Sequence, residues 1–212
     1  MAASPADPRA VPGAVNDPAS GFDAMYAGRP PWDIGRPQAA FVTLADAGLI
    51  RGRVLDAGCG TGEHVLMCAA LGLDATGVDL AQVALRAAEE KARARGLTAR
   101  FIRQDARRLP ELGEIFDTVL DCGLFHLPVF SEEDRADYVA SLRSVLRQGG
   151  RYFMLCFSDR EPGTTGPLRL TQGQIRTAFA DGWQIDSIEP VTIEITTDPA
   201  GVRSWLVTAT RR

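Results

Sequence analysis

Arg53-Val54-Leu55-Asp56-Ala57-Gly58-Cys59-Gly60-Thr61-Gly62-Glu63-His64 joins a short apolar strand, a glycine turn and the start of a helix. Val54 and Leu55 are β-formers, and the alternating glycines let the backbone turn sharply and approach a ligand closely. Helical sequence resumes over Val65 to Leu71, so the first amides of that helix point toward whatever lies over the strand end. The register of the glycines narrows the ligand. A dinucleotide fingerprint wants glycine at the first, third and sixth places, and the sixth place counted from Gly58 is Glu63. A phosphate-cradling P-loop would continue with Gly-Lys-Ser/Thr, which does not follow. Asp56 before the turn and Glu63 after it would repel a pyrophosphate and suit a ligand with a cationic amino-acid end.

Working outward, the 212 residues suit one α/β domain over 21–212 preceded by a flexible, Ala- and Pro-rich tail over 1–20. A formal net charge of −4 argues against a nucleic-acid face, and no apolar signal-peptide core opens the chain. The four cysteines, Cys59, Cys68, Cys122 and Cys156, form no CxxC pair and have no histidine at metal-ligand spacing, so they read as reduced thiols and no metal is expected. A monomeric, cytoplasmic protein follows, with no membrane or nucleic-acid partner. Periodicity predicts strands near Arg53–Ala57, Ala75–Val78, Ala99–Gln104, Phe116–Leu120 and Arg151–Cys156, with two late ones near Trp183–Glu189 and Val202–Thr208. Helices are expected near Ala39–Ala47, Glu63–Leu71, Ala81–Gly96, Glu132–Leu146 and Gln172–Phe179. The long fourth helix should end at a Gly149-Gly150 turn with a C′ glycine. This alternation predicts a Rossmann-like, mostly parallel seven-stranded sheet with helices on both faces and a C-terminal antiparallel hairpin.

In such a sheet the ligand lies beyond the carboxyl ends of the strands. The first strand end supplies Asp56, Gly58, Cys59, Gly60 and Thr61. After the second comes Asp79, placed to accept from both ribose hydroxyls or else to cap a helix, with Leu80 beside it to cover a base. Past the fourth strand, Asp121 and Cys122 close the cofactor set, and Phe125, His126, Leu127 and Phe130 follow with Phe157 from the fifth strand as apolar walls for a second substrate. His126 is the candidate general base, with a structural hydrogen bond as the bland alternative. The segment Ser158 to Leu170 is too long for a simple turn and reads as a lid, with Arg160 and Arg169 available to orient a polar substrate. Before the first helix, Tyr26 and Pro30-Pro31-Trp32-Asp33-Ile34-Gly35-Arg36-Pro37 form a stiff aromatic segment, either a plug under that helix or a lid over the site.

The run Asp-x-Gly-x-Gly-x-Gly at 56–62 resembles motif I of the class I S-adenosylmethionine (SAM) dependent methyltransferases. The Pro-Trp-Asp-x-Gly-Arg-Pro run ahead of it is similar to the thiopurine, thiol and halide methyltransferase-like branch. That resemblance implies that the segment 21–38 caps bound SAM, with Trp32 and Tyr26 against the cofactor. It also implies that Gln104, Asp105 and Ala106 hold the adenine, with a helix cap as the slightly weaker alternative for Asp105. The expected activity is methyl transfer from SAM, with S-adenosylhomocysteine as product, to an aromatic or heterocyclic thiol, hydroxyl or ring nitrogen. Two readings stay open beside it: a SAM-binding sensor without chemistry, and a nicotinamide-dependent reductase.

Overall fold

The computed structural model describes residues 18–164 and 166–212. The expected tail therefore lies, up to residue 17, outside the described residues. From Pro18 to Tyr26 the chain forms α1, which periodicity did not predict, and its successors are α2 (Ala39–Asp46), α3 (Glu63–Ala70), α4 (Gln82–Ala94), α5 (Glu132–Val145) and α6 (Gln172–Ala178). The strands are β1 (Arg53–Ala57), β2 (Asp74–Asp79), β3 (Arg100–Arg103), β4 (Phe116–Cys122), β5 (Leu146–Phe157), β6 (Trp183–Ile193) and β7 (Val202–Arg211). They lie in one sheet of order β3-β2-β1-β4-β5-β7-β6. β7 enters antiparallel between β5 and β6, giving the expected C-terminal hairpin, and the remaining neighbours run parallel.

Alternation along the strands feeds two cores. Leu55, Val119, Met154, Cys156 and Val207 point to the face packed by α5 and α6, where Tyr138, Leu142, Ile175 and Phe179 are buried. Their neighbours Val54, Leu120, Phe153, Leu155 and Leu206 point to the other face, under Phe41 and Leu44 of α2, Val65 and Cys68 of α3 and Leu85 of α4. A sheet covered on both faces needs this period-two split of apolar residues, which is why its central strands read as continuous apolar runs. Ser131 starts α5 with a reciprocal box: its hydroxyl accepts from the Asp134 N–H, and the Asp134 carboxylate accepts from the Ser131 N–H.

Two boundaries differ from expectation for physical reasons. α5 ends at Val145, and Leu146 is already extended and paired with Phe116, so Gly149-Gly150 is not a helix terminus. The glycines sit where the register jumps from Leu146 opposite Phe116 to Arg151 opposite Thr118. A Cβ on Gly150 would stand 2.8 Å from the Arg147 carbonyl, so the bulge itself requires glycine. β4 also runs on to Cys122, two residues past the expected end, which places Asp121 inside the sheet rather than beyond it.

Candidate active site

Strand order reverses on either side of β1, and the main cavity opens there, beyond the carboxyl ends of the parallel strands. Gly58, Asp79, Leu80, Gln104, Asp105, Ala106 and Cys122 line it together with Tyr26 and Trp32 from the N-terminal segment. His126, Leu127, Phe130 and Phe157 line it as well. A side lobe bordered by Gly58, Cys59, Gly60, Thr61 and His64 shares Tyr26, Trp32, Gln38 and Cys122 with the main cavity. Most residues singled out from sequence are thus brought to one place.

At the glycine turn, Gly60 has a φ of +50° and turns its N–H onto Asp79 Oδ2 at 2.8 Å. Asp79 Oδ1 accepts from the Ala81 N–H at 2.8 Å, so the carboxylate braces the turn ahead of α4, whose N-cap is Ala81, and borders the cavity at once. Burial pushes this carboxyl above its usual range while those amides oppose the shift. A carboxylate offers about four acceptor positions, so capacity remains for two further donors. Above the turn hangs Tyr26: a Cβ on Gly60 would lie 2.6 Å from its hydroxyl, which also accepts from Trp32 Nε1–H at 3.0 Å. The Thr61 hydroxyl is tied to Asp33 of the same N-terminal segment at 2.9 Å.

Asp56 is 1 % exposed and does not border the cavity, yet neither of its oxygens has a hydrogen-bond partner. Its nearest polar side chain is His64, whose Nδ1 lies 3.6 Å from Oδ2 while its Nε2 accepts from the Gln38 N–H at 3.2 Å. An unpartnered buried carboxylate beneath the turn is costly unless a donor arrives. This, and a turn stripped of side chains, fits a ligand with a cationic amino-acid end.

The facing wall is apolar and is assembled from distant segments. Pro31 and Gln38 meet Ile193 and Ile195 there, with Val202 and Phe157 beside them. The two segments are laced together: Thr196 N–H donates to the Pro31 carbonyl at 2.8 Å, and Gln38 exchanges both side-chain bonds with the Glu194 backbone at 2.8 and 2.9 Å. Arg36 adds an ion pair to Glu194 at 2.8 Å. None of these partners is signalled by spacing, because each link joins opposite ends of the chain. His64, Glu161, Pro167 and Val129 were likewise missed as lining residues.

Five expected residues have other employment. Asp121 is buried away from the cavity, its Oδ2 accepting from Tyr138 and Tyr152 hydroxyls at 2.9 and 2.7 Å and its Oδ1 from the Leu124 N–H at 2.8 Å. Burial pushes its carboxyl up to about 6. Phe125 packs into the core against Phe179. Arg160 lays its guanidinium over the Trp205 ring, 4.6 Å from the centroid, and is not part of the cavity lining. Arg169 does border the cavity but donates to the Glu161 and Pro162 carbonyls at 3.0 Å, bracing the 158–170 segment. Asp105 caps the 3-10 turn that follows β3, accepting from the Arg107 N–H and pairing with its guanidinium, which holds the carboxyl below its usual range.

His126 is 3 % exposed, and its Nδ1 accepts from the Phe157 N–H at 2.7 Å. Burial alone lowers its pKa to about 3, so the ring is neutral at any working pH. The cysteines are disabled as nucleophiles by the same effect: burial raises Cys59, Cys122 and Cys156, and Cys68 to about 12. Among the described residues no cluster of histidine, cysteine or carboxylate side chains could hold a metal ion, and no helix is long and apolar enough to cross a membrane.

A strand-glycine-helix turn with an acidic second strand end, opening on an apolar pocket, defines a class. The chain belongs to the class I SAM-dependent methyltransferases. A methyltransferase-domain family profile matches residues 54–150. The 2-heptyl-1-hydroxyquinolin-4(1H)-one methyltransferase of Mycobacteroides abscessus is 34% identical over 173 residues, covering 80% of this chain and 75% of that protein. A solved structure from work on the conversion of a disulfide bond into a thioacetal group during echinomycin biosynthesis is 40% identical, with a TM-score of 0.83 over 91% of this chain and 92% of that one. The fold is shared with magnesium protoporphyrin IX methyltransferase from Synechocystis PCC 6803 solved with bound SAM, at 22% identity and a TM-score of 0.63 over 95% of this chain and 86% of that one. The protein is therefore a SAM-dependent methyltransferase.

Proposed function

We propose that this methyltransferase acts on a flat, largely apolar small molecule through an aromatic or heterocyclic hydroxyl, thiol or ring nitrogen, in the cytoplasm. The observation that carries this reading is the continuity of one cavity from the glycine turn, past Asp79 and His126, to the apolar wall of Pro31, Phe157, Ile193 and Ile195. SAM supplies an electrophilic methyl group on a sulfonium. Asp79, with two acceptor positions to spare, holds the ribose hydroxyls, while Leu80, Gln104, Asp105 and Ala106 enclose the adenine. Asp56 balances the ammonium end from below the turn. Tyr26 and Trp32 close over the cofactor, and the 21–38 segment acts as its lid.

The acceptor half contributes orientation and dryness. Bringing a charged nucleophile to a sulfonium removes charge on the way to the transition state, so a water-poor apolar pocket favours the step. The M. abscessus relative, named for a hydroxyquinolone, supports an acceptor with a fused ring and an acidic hydroxyl. The likeness to the thioacetal-forming structure, together with the thiol-branch likeness of residues 31–37, favours sulfur as a second reading. Calorimetric titration with SAM and then a panel of hydroxyquinolones, phenols, thiols, N-heterocycles and disulfides, read by mass, tests both. SAM binding with no methylated product from any flat heteroaromatic would remove the acceptor reading and leave the family assignment intact.

A further inference from the structure

The cavity is lined by a histidine whose lone pair is already taken, which leaves it unfit as a base. A backbone N–H can only donate, so the 2.7 Å contact from Phe157 requires the lone pair of His126 Nδ1, and the proton of the neutral ring must sit on Nε2. The ring is fixed edge to face against Phe157 at 4.7 Å, and its own carbonyl accepts from the Leu168 N–H at 2.9 Å. Nε2 looks past Gly123, where an added Cβ would stand only 3.1 Å from it, and has no partner among the described residues although the ring lines the cavity. The ring therefore carries a rigid, unpartnered N–H donor beside the cavity-lining Gly123 and has no lone pair to take a proton.

No other described group around the cavity is poised to do so. Asp79 accepts from two amides and its spare positions go to the ribose on the reading above, and Asp105 is paired with Arg107. Glu161 accepts from the Arg203 N–H at 2.9 Å, Arg169 is braced on loop carbonyls, and burial keeps Cys122 a thiol. None of these acts as a charge on His126, whose downward shift comes from desolvation alone.

We propose that His126 is a positioning residue whose Nε2–H donates a hydrogen bond to an acceptor that arrives already ionised, so that the enzyme selects acidic hydroxyls, thiols and N-hydroxy heterocycles and discriminates against those still protonated. This rests on the methyl-transfer reading above. The acceptor's proton leaves to bulk water before binding. In the site the anionic heteroatom forms its bond to the methyl carbon while the sulfur–methyl bond breaks, that electron pair passing to sulfur. No proton moves within the pocket.

Two measurements test it, one without turnover. The protein has only two histidines, so 15N spectra of imidazole-labelled protein show two rings, and the one missing from His126→Asn is His126. The expected result is a neutral ring protonated on Nε2 with no titration between about pH 5 and 9. A midpoint near neutrality, or a proton on Nδ1, would overturn the proposal whatever the acceptor proves to be. The second is the pH profile of kcat/KM for phenols of graded acidity on one scaffold. Each inflection should track the acceptor's own pKa. An inflection shared by all acceptors, or one abolished in Glu161→Gln, would restore a general base and sink the idea.

Variants at His126 separate holding from folding. Asn keeps an oxygen where Nδ1 stands and so preserves the Phe157 bond, but cannot reach the Nε2 position. Gln reaches that position with an N–H. His126→Asn should raise KM for ionised acceptors roughly 10- to 150-fold with kcat little changed, the scale of a lost hydrogen bond to a charge, and His126→Gln should recover most of it. A fall in kcat of about 10²–10⁴ in both variants would mean a base. pH-independent methylation of an uncharged disulfide as fast as of any anion would equally refute selection for ionised acceptors.

Discussion

The turn at Gly58–Thr61 and the wall at Ile193–Ile195 face the same cavity, but they are held in place on different scales of the chain. Gly60 is fixed to Asp79 across 19 positions, and Asp79 to Ala81 across two. Gln38 is fixed to Glu194 across 156 positions, and Pro31 to Thr196 across 165. The cofactor half is therefore a local product of strand, glycine and helix start, while the acceptor half exists only once both ends of the chain have docked. Such a division lets one cofactor cradle serve many acceptors, since the wall can change without touching the turn.

The largest expected effect comes from attacking the local half where an added side chain would meet the packed core. Gly62 has a φ of +83°, and a Cβ there would lie 2.7 Å from Ala88 Cβ and 2.8 Å from the Phe101 ring. Gly62→Val should cost about 2–5 kcal/mol of folding stability, summing the left-handed backbone penalty and overpacking. Chemical denaturation reads it directly. A variant as stable as the parent would show that the turn tolerates rearrangement and is not the rigid half of the comparison.

Next in size is Asp79→Ala, which should weaken SAM binding by about 1.5–3 kcal/mol, the scale for hydrogen bonds to a charged group. Calorimetry should find the acceptor's KM at saturating SAM nearly unchanged. If both constants shift together, the halves are coupled more strongly than their separate lacing implies.

This contrast also explains what is legible in the sequence. Three glycines, an Asp twenty-odd residues on and apolar runs of strand length are local signals, so the fold, the turn and Asp79 can be read in advance. Asp105 is read at the right place with a cap as its alternative role, yet its ion pair with the Arg107 guanidinium is visible only in the structure. Asp121 is misplaced as a cofactor residue because β4 runs two residues longer than its apolar pattern, and its real partners, Tyr138 and Tyr152, come from α5 and β5. Arg160 reads as free charge because nothing local announces Trp205. His126 is found by its rarity, but its tautomer depends on an amide 31 positions away.

The smallest effects distinguish which threads of the long-range lacing matter. Gln38 is 3 % exposed and makes two hydrogen bonds to the Glu194 backbone, so Gln38→Ala leaves a carbonyl and an amide without partners. That should cost about 1–2 kcal/mol in the acceptor half and appear as a higher acceptor KM with SAM affinity nearly intact. Arg36 reaches the same residue from outside, through an ion pair whose side chains are 58% and 35% exposed. Arg36→Ala should therefore cost less than about 1 kcal/mol. The small rise in KM that remains should vanish in high salt, where screening has already removed the attraction in the parent enzyme. If Arg36→Ala instead matches Gln38→Ala, and keeps its effect in salt, the wall is held by charge at the surface rather than by the buried amide exchange. The acceptor half would then open and close with ionic strength, which the cofactor half, built on backbone amides around Asp79, would not.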